Sequence, residues 1–538
     1  MLDREEAARE HVARIVADLS RPEAYPDPTG AVALEETHAS VVFLTDRYVY
    51  KVKKPVDFGF LDFSTFEKRA FYCREELRLN RRLTDGVYLD VVPVVEVGGR
   101  LQVFGEGPVV EDAVRMRRLP DDRMLAHLVD TGQVDESVFP VLAERLARFY
   151  REAVTGPGVD EWGTADAAAF SIQENVEQTQ PYAGTIIAPL QLRLVDEVSR
   201  EFFAREADLF ARRLAEGRIR EGHGDLHLAH ICVLGDRPED LQIIDGVEFN
   251  PRLRCGDVAV DVAFLAMDLD YHGRSDLARR FVALLAERLG DPELERLVHF
   301  FSIYRAHVRA KVACLRLDEI APELPEYLPV KGEAERYIDL ATSYMVEPAR
   351  PTLFLVGGLS GTGKSVIARR LARALGASHV SSDVVRKALA GRAPESHEPA
   401  AFGAGIYSRE STERTYEVLL ERAREALGAG RSIVLDATFL DPRWREEAAR
   451  SAGLAGADML LVECRCAPEV VQARLARRGR VAAEASEADW AVYQRQRERY
   501  GETLVAVDRL PQLIVDTDRP SAAVLDTLLE HVELRRRI

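Results

Sequence analysis

The segment Gly358-Leu359-Ser360-Gly361-Thr362-Gly363-Lys364-Ser365 fills every position of the pattern G-x-x-x-x-G-K-[ST], and its flanks are the ones that pattern needs. Leu353 to Gly357 is an apolar run that reads as a buried parallel strand, and Ser365 to Leu375 carries helical periodicity up to Gly376. A strand, a glycine-rich turn and a helix in that order wrap backbone N–H groups around a phosphate. Lys364 would set a compact positive charge on the β- and γ-phosphate oxygens and Ser365 would reach Mg2+, with Gly358, Ser360, Gly361, Thr362 and Gly363 forming the cradle. The rear of the chain is thereby expected to be an α/β unit with a mostly parallel sheet.

Lysine usage points to a second place. Of 72 basic residues only eight are lysines: Lys51, Lys53, Lys54, Lys68, Lys311, Lys331, Lys364 and Lys387. In a chain that defaults to arginine, a retained lysine marks a position where a planar guanidinium does not substitute for a compact ammonium. Lys364 is accounted for by the loop, and the cluster Lys51 to Lys54 asks for a comparable explanation.

The bulk properties narrow the classes of function. The 538 residues leave room for several structural units, and no run of about 18 apolar residues is present. Met1 to Ser20 reads as a charged amphipathic helix rather than a signal sequence, so a soluble cytoplasmic protein is expected. Six scattered cysteines without a C-x-x-C pair read as buried reduced thiols, not as a zinc site. The net charge of −17 is uneven: residues 1–351 carry −19 and residues 352–538 carry +2. An acidic front argues against general nucleic-acid binding and is compatible with a cationic substrate. The Arg535-Arg536-Arg537 tail is expected to be a solvated end.

Two prolines in Met345-Val346-Glu347-Pro348-Ala349-Arg350-Pro351 mark a boundary, with a linker expected over 346–351. Residues 40–118 are rich in short strand patterns, including a hairpin of Val41 to Leu44 and Tyr48 to Lys51 across Thr45-Asp46-Arg47. Helical periodicity dominates from about 121 to 343. The expected fold is therefore mixed, α+β and α/β: a two-lobed domain over 1–345, with a small lobe at about 30–118 and a large lobe at about 119–345, and then a phosphate-loop domain over 352–538.

Within the front domain, His223-Gly224-Asp225-Leu226-His227-Leu228-Ala229-His230 precedes the apolar run Ile243-Ile244 that ends in Asp245. In type and spacing this resembles the aminoglycoside phosphotransferase family, whose fold is protein-kinase-like and whose pattern is HGDxHxxN followed by a metal-binding aspartate. The resemblance implies that Asp225 orients an acceptor hydroxyl and takes its proton, that Asp245 holds Mg2+, and that Lys51 pairs with the α- and β-phosphates. It implies a helical carboxylate partner for the lysine, Glu75 ahead of Glu76, while Lys53 and Lys54 compete with Lys51. Where the family has its second metal-binding asparagine this chain has His230, a softer ligand that disfavours Mg2+ and suits Mn2+ better. Asp257 and Asp261 are expected to brace the loop or cap the next helix.

The rear domain resembles small phosphate-loop kinases of the polynucleotide kinase, zeta toxin and gluconate kinase type. Ser382-Asp383-Val384-Val385-Arg386 delivers a D-x-x-R in which Asp383 would accept the acceptor's proton and Arg386 would grip the substrate or a phosphate, helix capping by Ser382 or Asp383 being the alternative. Ser432 to Asp436 is an apolar strand ending in an acid, so Asp436 would hold Mg2+. A following helix carries Arg474, Arg477, Arg478 and Arg480, with Arg478 the choice for a lid arginine and Arg477 next.

These readings converge on a cytoplasmic ATP-dependent phosphotransferase with two nucleotide sites, acting on hydroxyl groups of small molecules such as sugars, amino sugars or nucleosides. Mg2+ is the expected metal, with Mn2+ as the alternative at the first site, and neither nucleic acid nor a membrane is an expected partner. The rival is a regulatory ATPase in which only the rear domain turns over ATP; a third reading has the rear domain phosphorylating a nucleotide sugar.

Overall fold

The computed structural model describes residues 2–393, 405–478, 489–501, 504 and 510–538. The chain forms two compact units, one of residues 1–168 with 206–305 and the other of 169–205 with 306–538.

The first unit opens with helix α1 (Leu2–Leu19) and a six-stranded antiparallel sheet in the order β1-β2-β3-β6-β4-β5. Its strands are β1 (Ala33–Glu36), β2 (Ser40–Leu44), β3 (Tyr48–Lys53), β4 (Tyr88–Val97), β5 (Arg100–Val103) and β6 (Val109–Arg117). The hairpin read from the sequence is β2–β3, with Val42 opposite Lys51 and Ser40 opposite Lys53. Alternation sorts the two faces. Val41, Phe43, Tyr50, Val52, Val92, Val94 and Ala113 pack with Ile15 and Leu19 of α1. On the opposite face, helix α2 (Phe66–Asn80), N-capped by the Thr65 side chain, closes over Val114 and Met116 through Cys73. The helices that follow bury the short paired strands Ile231–Val233 and Leu241–Ile243, whose pairing brings the flanking segments, His223 to His230 before them and Ile244 to Asp245 after them, side by side.

The second unit contains a five-stranded parallel sheet. Its order is Ser378–Ser381, Ile433–Asp436, Thr352–Gly357, Asp458–Arg465 and Gln512–Asp516. Phe354 and Val356 face the helices Lys364–Ala374 and Ser521–His531, while Leu353 and Leu355 face Arg409–Gly428 and Pro442–Leu454. This fully covered parallel sheet is what the apolar strand at 353–357 demands.

Two expectations are corrected here. The segment expected as a linker contains a strand, Val346–Pro348, paired antiparallel with Leu534–Arg536. The arginine tail is exposed, as a solvated end would be, and its side chains pair at the surface, Arg535 and Arg537 with Glu347 and Arg536 with Glu197. In addition, helices Pro189–Arg205 and Tyr327–Met345 pack within the phosphate-loop unit. There Arg370, 1% exposed, binds Asp339, and Gln191 donates to the same carboxylate. A buried guanidinium requires buried carboxylates, and Asp339 supplies one from a helix that precedes the sheet in sequence.

Candidate active sites

In the first unit the site is built around a partly buried ammonium. Lys51 Nζ lies 2.6 Å from Asp245 Oδ1 and 2.9 Å from Glu76 Oε1. Lys53, on the same face of β3, binds the other oxygen of Glu76 at 2.6 Å and also Glu248. Lys54 points the other way, to Glu36. Burial alone would raise the Glu76 carboxyl, but Lys51 and Lys53 hold it below its ordinary range. Burial likewise opposes the Lys51 charge, and Asp245 with Glu76 outweighs it, holding the ammonium well above the usual lysine value.

Glu76, not Glu75, is therefore the helical partner. Arg69, Cys73, Glu76 and Asn80 form the buried stripe of α2 at helical spacing, whereas Glu75 is turned toward Arg78. That stripe is the signal in the sequence that selects between the adjacent acids.

Asp245 sits at φ 62, in the left-handed region that a branched or bulky residue avoids. Its N–H donates to Tyr88 Oη at 3.1 Å, and the next N–H, of Gly246, donates to Asn80 Oδ1 at 2.8 Å. These bonds hold the strained turn so that the carboxylate meets Lys51. Burial would raise Asp245, and Lys51 pulls it well below the usual carboxylate range.

The other end of the signature is braced from behind. Asp261 accepts from the N–H groups of His223 and Gly224 at 2.7 and 2.8 Å, and Asp257 caps the helix Val258–Tyr271. His223 Nε2 donates to Ile244 O at 2.9 Å while Nδ1 accepts from the Asp225 N–H at 3.3 Å, a tautomer assigned from these bonds. It links the loop at Asp225 to the strand end at Ile244. His230 Nδ1 is 2.9 Å from Asp225 O and its Nε2 is 3.7 Å from Asp245 Oδ2. Burial and the neighbouring His227 push it down to about 4, so the imidazole is neutral at pH 7.

In the second unit the glycine-rich turn has the expected place between strand Thr352–Gly357 and helix Lys364–Ala374. Gly358 and Gly363 have φ 130 and 81; a Cβ on Gly358 would come within 2.5 Å of Cys464 O, so glycine is required there. Lys364 Nζ donates to Leu359 O at 2.6 Å, Thr362 Oγ1 also donates to Leu359 O at 2.8 Å, and the Ser360 N–H is held by Gln496 at 2.8 Å. Gly361 completes the turn at φ 80.

Asp436 ends the neighbouring strand and is 2% exposed, with Oδ2 buried and without a hydrogen-bond partner. His379 Nε2 is also buried and unpartnered, 3.8 Å from that oxygen. Burial would raise Asp436, but His379 and Ser365 hold it below its ordinary range. An ionised carboxylate with an unsatisfied buried oxygen facing a serine hydroxyl fits a Mg2+ site, the hard cation taking oxygen ligands. In the first unit Asp245 supplies one such oxygen, while His230 supplies nitrogen.

Ser381 pairs in register with Asp436, so the helix Ser382–Leu389 starts beside that acid and carries Asp383 and Arg386 with it. Arg386 Nη1 donates to Asp383 Oδ1 at 2.9 Å and the guanidinium lies over the Tyr407 ring. Neither Ser382 nor Asp383 caps the helix; its N-cap is Ser381. Arg478 closes the helix Pro468–Arg478, and its side chain lies outside the described residues. Arg474 of the same helix reaches the loop instead: Nη2 donates to Thr517 O at 2.6 Å, and a Cβ on Gly363 would sit 3.3 Å from Nη1. Sequence reasoning named Arg474 only among the arginines of its helix and gave His379 and His227 no role. Arg474 meets the loop through the packing of helix Pro468–Arg478 beside Thr517, and the two histidines reach their sites on a strand and at a turn, which periodicity does not expose.

Comparison with known proteins places the chain. Residues 353–503 match the AAA domain family AAA_33. An uncharacterized protein of Mycobacterium tuberculosis, Rv2004c, is 36% identical over 439 residues, which is 82% of this chain and 84% of its own. The chain belongs to the family of that mycobacterial protein. Family membership thus extends well beyond the AAA domain, across most of the length of both proteins. Among solved structures, a gluconokinase from Sinorhizobium meliloti 1021 is 18% identical with a TM-score of 0.24, covering 34% of this chain and 97% of its own. A choline/ethanolamine kinase family protein from Mesorhizobium loti is 13% identical with a TM-score of 0.33, covering 60% of this chain and 97% of its own. No helix among the described residues is long and apolar enough to cross a membrane.

Proposed function

We propose that this chain is an ATP-dependent phosphotransferase with two nucleotide sites, an aminoglycoside-phosphotransferase-like one before the boundary at 346–351 and a phosphate-loop kinase site after it. Both would move the γ-phosphoryl group of ATP to a hydroxyl of a small molecule. The observation that carries this reading is the Lys51 ammonium held between Glu76 and Asp245. Such an arrangement keeps one positive charge fixed where the phosphates of a nucleotide would lie, and phosphoryl transfer is catalysed mainly by positioning and charge neutralisation.

In the front site Lys51 binds phosphate oxygens, and Asp225 orients the acceptor hydroxyl and receives its proton as the oxygen attacks. In the rear site Lys364 leaves Leu359 O for the β- and γ-phosphates, the amides of residues 358–365 wrap them, and Asp383 takes the acceptor's proton once Arg386 turns to the substrate. Mg2+, held by Asp245 in front and by Ser365 and Asp436 behind, would neutralise charge on the transferring group when bound. Arg474 steadies the nucleotide end of the loop, a role beside the lid arginine Arg478.

The test is ATP-dependent mass gain across sugars, amino sugars, nucleosides and aminoglycosides, run with wild type, Asp225→Asn and Lys364→Ala. Each acceptor should be lost in one variant and kept in the other. A second reading has support of its own: His230 stands where an oxygen ligand serves the front metal, which favours a regulatory front domain with ATP turnover only behind. Under that reading Asp225→Asn changes no activity.

A further inference from the structure

His227 and His230 are separated by one short turn, Leu228–His230, which is fixed by the His230 N–H to His227 O at 3.0 Å and by the Leu228 N–H to Asp268 Oδ2 at 2.9 Å. The turn sets the two imidazoles against each other, ring centroids 3.8 Å apart and planes tilted by 33°, beside the Asp225 carboxylate. His227 Nε2 is 3.5 Å and His230 Nδ1 is 3.6 Å from Asp225 Oδ2. These separations exceed an ordinary N–H···O hydrogen bond. The His227 Nε2–Asp225 Oδ2 separation matches the edge of a tetrahedron of nitrogen and oxygen ligands around Zn2+, about 3.4 Å for metal–ligand distances of about 2.1 Å. Among the described residues this is the group of three His, Cys, Asp or Glu side chains whose ligand atoms all lie within 4.8 Å of one another.

The surroundings suit such an ion. With His230 Nδ1 donating to Asp225 O, the remaining nitrogen, Nε2, is the ligand atom, and a metal-bound histidine commonly gives its other N–H to a carbonyl in this way. Asp245 Oδ2 stands 3.7 Å from that Nε2 and can serve as a fourth ligand. Two imidazoles with carboxylate oxygen select a borderline transition ion over Mg2+, which prefers oxygen alone.

We propose that Asp225, His227 and His230 form a binding site for a divalent transition-metal ion of the Zn2+ class, and that its occupancy silences the front site by engaging Asp225. The silencing half rests on the proposed role of Asp225; the binding half does not. Two acids and two imidazoles meet at one point, so the carboxylate serves either the acceptor hydroxyl or the transition ion.

Co2+ titrated into the full-length, nucleotide-free protein tests the binding. One equivalent should give intense visible d–d bands that Zn2+ abolishes, and His227→Ala should weaken Co2+ at least about tenfold while keeping the wild-type circular dichroism and melting temperature. Should His227→Ala fold poorly, His227→Gln preserves size and still removes the ligand. Weak octahedral bands, or bands unchanged in either variant, overturn the site. Zn2+ should then abolish the transfer that depends on Asp225 and spare the transfer that depends on Lys364; Asp225-dependent transfer undiminished at saturating Zn2+ overturns the silencing. If no Asp225-dependent transfer exists, the proposed function and with it the silencing fail, while the Co2+ bands still decide the binding.

Discussion

Lys51 and Asp245, 194 residues apart in the chain, meet at 2.6 Å through an ammonium and a carboxylate. The contact joins the strand hairpin to the aspartate that follows the strand Leu241–Ile243, and Glu76 completes it from a helix.

Glu76→Gln and Glu75→Gln should behave very differently. Removing Glu76 leaves the buried Lys53 and the partly buried Lys51 short of a shared counter-charge, and a cost of about 3–5 kcal/mol is expected, whereas Glu75 loses only the half-exposed pair with Arg78, worth about 0–1 kcal/mol. Urea unfolding of the two variants checks this, and equal losses would mean that the Glu76 contacts carry no special weight.

Lys364→Ala should lower rear-site turnover by about 10²–10³, the scale for losing one fixed charge-stabilising group, and leave Asp225-dependent transfer unchanged. Arg474→Ala should act mainly on the KM for ATP, because its bonds go to Thr517 beside the loop rather than to Asp383. Steady-state kinetics with each acceptor separate the two effects.

The two orphaned atoms His379 Nε2 and Asp436 Oδ2 face each other at 3.8 Å. His379→Ala should raise the Mg2+ concentration needed for half-maximal rear-site activity by about tenfold or more, as lost outer-shell partners do, with little change in ATP affinity measured without metal. An unaltered Mg2+ titration would reduce His379 to a packing residue.

His307 gives a pH signature in stability. Burial first, and the Lys311 charge second, push it down to about 3. Its Nε2 is 2.8 Å from Thr179 Oγ1. A depressed folded value means that the unfolded chain binds the proton more readily. The stability is thus fully present above the unfolded value of about 6.5 and declines toward pH 3 by about 1.4 kcal/mol per pH unit. The stability gap between wild type and His307→Gln should therefore shrink on acidification from pH 7 to pH 4, and a constant gap in paired denaturant titrations would contradict it.

Much of the site could be read from short patterns because its parts are local. Gly358 to Ser365, the strand ending at Asp436 and the span from Asp225 to Asp245 each fall within one turn or one strand–loop–strand step. The choice between Glu75 and Glu76 was also present, in the stripe Arg69, Cys73, Glu76 and Asn80. Strand pairing at 346–348 escaped because its partner, 534–536, lies almost 190 residues away and two prolines concealed the extended backbone.

What the residues determined by themselves is local chemistry: a glycine turn at 358–363 where a side chain would strike backbone, a lysine-bearing hairpin, and acids at strand ends. Only tertiary packing decided which charges meet. A buried ammonium or guanidinium must find a counter-charge wherever the fold brings one. Lys51 therefore took Glu76 and Asp245, and Arg370 took Asp339 from a helix that the sequence assigned elsewhere.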